Sequence, residues 1–236
     1  MQEIVALQED PESGPGLFAL AAEKLDVKVR AIDASRGDQI PRKLPPEASL
    51  LVCGGRMPAP EVELCPYLGR WTDLIRWTLD SGQPILGVGT GAHMVAQVLG
   101  ARIHPASPSE LGWGTVTLTA AGIAEPLFAG LPVYLPVFQW HMEDMEPPAG
   151  AVLLAASETS PCQAFRHGER TFGLQFHLEA TEAMVRAWHE TRIGPLADAS
   201  IVQRLRLLDP FLDREAMARR ADLLIRNFLQ IQNPHR

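Results

Sequence analysis

The sequence predicts an α/β fold whose central sheet is mainly parallel, and three observations carry that prediction. Over the first 100 residues, short apolar runs alternate with helix-periodic segments, the pattern of parallel strands joined by right-handed crossovers. An apolar run, Pro84-Ile85-Leu86, enters a glycine turn, Gly87-Val88-Gly89-Thr90-Gly91, and leaves it as a helix-periodic segment from Ala92 to Leu99. Beyond Gly100 the texture changes to short strand-like runs separated by Pro and Gly, which suits an antiparallel extension or edge.

The elements follow in order. Ile4-Val5-Ala6-Leu7 is a short buried strand, and an Ala/Leu-rich face marks a helix over 16–25. Val27-Lys28-Val29-Arg30-Ala31-Ile32 alternates apolar and polar residues as a second strand, and Ser49-Leu50-Leu51-Val52-Cys53 is a third, closed by Gly54-Gly55. A helix is expected over 71–79, with Trp71, Leu74, Ile75 and Thr78 on one side, stopping at Ser81-Gly82. Strand-like runs follow at 114–119, 134–138, 151–155 and 163–165, then a buried strand over 171–176 that ends at His177. From Thr181 the pattern is helical, and 214–229 carries Ala216, Leu223, Leu224 and Phe228 at helical spacing. The expected organisation is one domain over 1–190 with a helical extension, 191–236, packed on it.

Composition narrows the function classes. A formal charge of −7 over 236 residues argues against nucleic acid as a partner, because phosphate binding needs a basic face. Three cysteines (Cys53, Cys65 and Cys162) at unrelated spacings form no CxxC pair, so neither a disulfide framework nor a zinc site is expected, and a cytoplasmic setting is. Cys53 is expected as an inert buried thiol, Cys65 in a loop and Cys162 in an edge strand. No leader segment and no apolar run of the roughly 20 residues that cross a bilayer is seen, so no membrane association is expected. The five tryptophans are assigned to packing.

The glycine turn is the most informative segment. Strand, tight turn and helix together form a nucleophile elbow, in which the central residue is held in a strained backbone conformation with its side chain above the sheet. A working elbow needs Cys or Ser at that point, and this chain has Gly89.

Three separated segments together resemble the class I glutamine amidotransferases, most closely stand-alone members similar to the amidotransferase domain of GMP synthase. They are Val52-Cys53-Gly54-Gly55-Arg56-Met57, the elbow itself, and Gly173-Leu174-Gln175-Phe176-His177-Leu178-Glu179. Softer matches lie at Glu110-Leu111-Gly112-Trp113-Gly114, at Phe138-Gln139-Trp140-His141 and at Gln163-Ala164-Phe165-Arg166. The resemblance implies a three-layer, flavodoxin-like α/β sandwich. It implies hydrolysis of glutamine's side-chain amide, with ammonia delivered to a synthetase on a separate chain, since no P-loop is present here.

In that chemistry a thiolate attacks the amide carbon, a histidine moves the protons, a carboxylate orients the imidazole, and backbone N–H groups receive the oxyanion. By position, the resemblance makes His177 the acid/base, Glu179 its orienting partner, and Gly54, Gly55 and Thr90 the oxyanion pocket. His93 takes the place of a substrate-contacting glutamine, and His141 lies in a loop at the pocket mouth or in a structural turn. The nucleophile position falls on Gly89. No cofactor and no metal is implied. For Glu179 the alternative is a place in the first turn of the following helix, where a carboxylate favours the dipole.

Glycine forms no thioester, so the expectation is a homologue inactive as a glutaminase. The open alternatives are an active glutamine hydrolase whose thiol is substituted in this chain, and a non-catalytic module that binds a small ligand or a partner.

Overall fold

Successive side chains of a strand point to opposite faces, so a strand that is apolar at every position needs cover on both. The computed structural model describes residues 2–54, 66–190 and 214–232. In it, β1 (Glu3–Gln8) sends Ile4 and Ala6 into one apolar cluster and Val5 and Leu7 into another. The further strands are β2 (Lys28–Asp33), β3 (Ala48–Val52), β4 (Ile85–Val88), β5 (Ile103–Leu118), β6 (Tyr134–Met145), β7 (Val152–Ala156), β8 (Ala164–His167) and β9 (Thr171–Leu174). They form one sheet in the order β2-β1-β3-β4-β9-β8-β7-β5-β6. From β2 to β9 every pairing is parallel, and from β9 to β6 every pairing is antiparallel.

The helices are α1 (Gly16–Glu23), α2 (Pro66–Asp80), α3 (Thr90–Val98), α4 (Ala120–Ala124), α5 (Glu182–Trp188) and α6 (Arg214–Gln232). Phe18 and Ala22 of α1 and Leu224, Ile225 and Phe228 of α6 cover the face that carries Ile4, Ala6 and Phe172. Trp71, Leu74 and Ile75 of α2 and Val95 of α3 cover the face that carries Val5, Leu7 and Leu50. Helices on both faces of a sheet make three layers. The apolar stripe of α6 runs through Met217, Ala221, Leu224, Ile225 and Phe228, with Leu223 only partly buried, so the stripe is rotated from the expected one. Asn227 then fastens α6, its Nδ2 donating to the carbonyls of Leu127 and Ala129.

Several boundaries differ from expectation, each for a physical reason. β5 starts at Ile103 rather than 114, because its pairing with β6 continues past an irregularity between Pro105 and Glu110 that breaks the alternation. β6 runs on to Met145, so His141 sits within a strand, opposite Glu110, and not in a loop or turn. Cys162 lies two residues before β8, an interior strand, whereas the sheet edges are β2 and β6. β9 ends at Leu174, and the segment beyond it reaches His177 through a separate antiparallel bridge to Phe138. Cys65 lies outside the described residues.

Candidate functional site

The turn between β4 and α3 sets the site. Gly89 has φ 55° and ψ −124°, a conformation open to glycine and strained for other residues. Its N–H donates to the Leu174 carbonyl (2.8 Å), and its carbonyl accepts from the amides of Ala92 and His93, which locks the turn to the neighbouring strand and to the helix. At Gly91 a Cβ would overlap the Val52 carbonyl, so α3 packs backbone to backbone against the end of β3. A Cβ on Gly89 would lie 2.7 Å from Cε1 and 3.1 Å from Nε2 of His177. The elbow therefore points its central residue straight at the imidazole.

His177 is held from three directions. Its backbone N–H donates to the Phe138 carbonyl (2.8 Å), and its own carbonyl accepts from Phe138 (3.3 Å). Its Nδ1 stands 2.6 Å from Glu179 Oε1. An ionised carboxylate only accepts, so Nδ1 carries the proton and Nε2 is left as the base, facing Gly89. The third restraint is Trp188, whose ring centre is 4.9 Å from that of His177 and whose indole N–H donates to the Glu12 carbonyl (2.7 Å). Glu179 is 2% exposed, its backbone carbonyl accepts from Leu17 at the start of α1 (2.7 Å), and its Oε2 has no hydrogen-bond partner among the described residues. The helix after it begins at Glu182 under a Thr181 cap, so Glu179 lies outside the first turn.

Gly54 closes the site from β3. A Cβ there would be 3.6 Å from the Thr90 amide nitrogen and 3.9 Å from His177 Cε1, so the loop after β3, the N-terminus of α3 and the imidazole converge. Ser13, Gly54, Thr90, Trp140, His177, Glu179 and Trp188 line a cavity of about 20 Å³. Gly55 lies outside the described residues. Ser13, Trp140 and Trp188 were not singled out as site residues by the sequence. The two tryptophans, assigned there to packing alone, are walls of this cavity, and the sequence signal for them was no more than their closeness to His141 and to the helix after Glu179.

His93 does not join the cavity wall. It is buried, with Nε2 at 2.7 Å from Gln175 Oε1. The Gln175 amide nitrogen donates to the Glu143 carbonyl (3.2 Å), which turns the amide oxygen toward His93 and places the proton on Nε2. Burial above all, with the neighbouring histidines His141 and His177 adding to it, pushes the His93 pKa down to about 4. Partly buried Glu110 and buried His141 form a separate node, 3.1 Å apart. Burial raises the Glu110 carboxyl, but His141 and the Ser157 hydroxyl outweigh that and hold it below its usual range.

Neither described thiol, Cys53 or Cys162, offers a substitute nucleophile. Burial, with the Glu179 charge behind it, pushes Cys53 well above the usual thiol range, and burial with Asp144 pushes Cys162 up to about 12. Among the described residues, no three His, Cys, Asp or Glu side chains are grouped to hold a metal ion. None of the described helices is long and apolar enough to cross a membrane.

The family model for glutamine amidotransferase class-I matches residues 18–185. The chain belongs to that family. A glutamine amidotransferase-like protein of Salmonella typhimurium, YfeJ, is 32% identical over 163 residues, which is 66% of this chain and 68% of the relative. One subunit of a glutamine-hydrolysing GMP synthase from Methanoregula boonei is 32% identical over 45% of this chain and 57% of its own length. The glutamine-hydrolysing GMP synthase of Thermomicrobium roseum is 38% identical over 104 residues, 44% of this chain but only 19% of that longer protein. A crystal structure of a glutamine amidotransferase from Thermotoga maritima matches with a TM-score of 0.80 at 24% identity, covering 97% of this chain and 98% of that one. The class I amidotransferase fold thus extends over the whole three-layer sandwich, and the His177–Glu179 pair sits beside its elbow.

Proposed function

We infer that this chain is a class I glutamine amidotransferase homologue that does not hydrolyse glutamine by the covalent thiol route. The observation that carries this reading is Gly89: the elbow supplies no attacking atom, and the His177 ring stands where a side chain at that position would begin. A buried histidine–carboxylate pair without a nucleophile keeps proton transfer but forms no thioester. Loss of the nucleophile from such a triad lowers the rate by about 10⁶. Two further observations support it. Cys53, the thiol at the end of β3, is held protonated by burial. A cavity of about 20 Å³ matches roughly one water molecule rather than a glutamine side chain.

Ammonia release from glutamine tests the reading directly. Release at background level is expected from the chain as it stands. Steady release that disappears in Cys53→Ala overturns the reading and identifies a replacement nucleophile.

A separate synthetase chain as partner is a second element of this reading. Its support is that relatives matching this chain from Methanoregula boonei and Pyrococcus abyssi are named as one subunit of GMP synthase, a part of an assembly. Co-expression with the neighbouring synthetase-type chains of the same genome, followed by size-exclusion chromatography, tests it: a shared peak supports the partner, and separate elution of every candidate removes it.

A further inference from the structure

Five residues outside the cavity wall close into a ring of polar contacts: Glu110, His141, Glu143, Gln175 and Gln163. Glu110 Oε2 stands 3.1 Å from Nε2 of His141, and Nδ1 of His141 stands 3.1 Å from the Glu143 carbonyl. That carbonyl also accepts from the Gln175 side-chain amide (3.2 Å). The Gln175 backbone N–H donates to the Gln163 carbonyl (2.8 Å), and the Gln163 side-chain amide donates back to Glu110 Oε2 (2.6 Å). The ring thus joins β5, β6, the segment leading into β8 and the segment that runs from β9 to His177.

We propose that this ring is a pH-sensitive clasp on the segment that carries His177, closed while His141 bears protons on both ring nitrogens and open once either is lost. Donors and acceptors decide this. A carboxylate and a carbonyl only accept, so each needs a proton on the imidazole nitrogen that faces it. Nε2 is buried, and no other group among the described residues makes a hydrogen bond to it. Glu110 does not supply the missing proton: His141 and the Ser157 hydroxyl hold its carboxyl below the usual range. A neutral imidazole therefore satisfies one neighbour and turns a bare lone pair toward the other.

Charge balance points the same way. Asp144 Oδ1 lies 3.7 Å from Nδ1 of His141 and has no hydrogen-bond partner among the described residues. Among those residues the ion-pair partner of both Glu110 and Asp144 is His141, and neither carboxylate meets a Lys or Arg. Buried carboxylates without a cation are costly. The other titratable groups at the node do not take that part. His93 of α3, whose Nδ1 is 3.8 Å from the Glu143 carboxylate, is pushed down to about 4, and the Cys162 thiol beside Asp144 is pushed up to about 12.

The clasp reaches the candidate site through Gln175, two residues before His177. β6 also carries the bridge between Phe138 and His177, so one strand grips this segment at two points. Loss of a His141 proton with rising pH breaks the ring at the Glu143 carbonyl or at Glu110, and the grip on Gln175 loosens.

The test uses the full chain labelled with nitrogen-15. Imidazole nitrogen shifts report how many protons the His141 ring carries. Amide hydrogen exchange, corrected for its intrinsic base dependence, reports protection at Gln175 and His177. Expected at about pH 6 are two protonated nitrogens on His141, where burial alone would keep the ring neutral. Between about pH 6 and about pH 9 one proton is lost, and protection at Gln175 and His177 falls about tenfold. Amides of β1, which has no part in the ring, should show no such fall. His141→Gln should leave protection at Gln175 and His177 low at both pH values, and Glu110→Gln, which removes the demand for the Nε2 proton, should shrink the fall. A neutral His141 ring at the lower pH, protection that ignores pH, a fall shared by β1, or an undiminished fall in either variant overturns the proposal. Should His141→Gln fail to fold, the parent and Glu110→Gln carry the test. Neither readout depends on catalysis, so failure here leaves the reading of Gly89 untouched.

Discussion

The imidazole of His177 and the backbone of Gly89 share one space: a Cβ on residue 89 would come within 2.7 Å of the ring carbon Cε1. The histidine has closed against the elbow, and Glu179 and Trp188 hold it there. Any side chain introduced at 89 must therefore displace a ring that is fixed at its other edge.

Gly89→Cys is expected to lower stability by about 1–3 kcal/mol from backbone strain alone, with more lost to the displaced ring. Urea unfolding measures this. The same substitution made on a His177→Ala background should cost less, and an equal cost in both would show that the ring is no obstacle. The new thiol lies at the N-terminus of α3 beside an imidazole, and both favour thiolate. Iodoacetamide should thus alkylate it faster than free cysteine, and more slowly once His177 is removed.

Removing His177 strands a buried carboxylate. His177→Ala is expected to cost about 1–3 kcal/mol, because it leaves the buried Glu179 carboxylate without its hydrogen-bond donor. Adding Glu179→Leu to that variant should return part of the loss. Chemical unfolding of the three variants measures the coupling, and simple additivity would mean the pair is not coupled in the folded protein.

His93 makes stability depend on pH in a stated window. Its folded pKa of about 4 lies below the ordinary value of 6.5, so between these values the unfolded chain binds a proton that the folded chain does not. Stability therefore falls as pH drops through this window, by on the order of 3 kcal/mol at its lower end. His93→Gln should flatten the difference between the unfolding free energies at neutral and at acid pH. An unchanged pH dependence in that variant would assign the loss to other groups.

Asn227 is the fastening point of α6. Its amide donates to two carbonyls, those of Leu127 and Ala129, and Asn227→Ala leaves both without this donor. A loss of about 1–3 kcal/mol is expected by thermal or urea unfolding. Asn227→Asp should be as harmful, since a carboxylate has no hydrogen to donate.

Much of the fold was legible because its signals are local. The all-apolar run at Ile4–Leu7 states that both faces are covered, and the Gly87-Val88-Gly89-Thr90-Gly91 turn states where the chain reverses from strand to helix. The pairing of His177 with Glu179 followed from the resemblance of Gly173 through Glu179 to the family's motif. The long β5–β6 pairing was harder to read. Prolines at 105 and 108 interrupt its alternation, and its strands are specified by each other's hydrogen bonds rather than by their own pattern. For His141 the sequence offered a loop at the pocket mouth or a structural turn, and the register opposite Glu110 puts it in a strand.

By itself the sequence determined the α/β class, the position of the elbow and the identity of the residue at its tip, because periodicity and glycine placement are properties of neighbouring residues. Only the tertiary structure decided what surrounds that tip. Trp140 and Trp188 come from segments distant from the elbow, and His93 turns away toward Gln175. Each of these outcomes depends on side chains brought together across the sheet, where packing and desolvation act, and no local pattern encodes them.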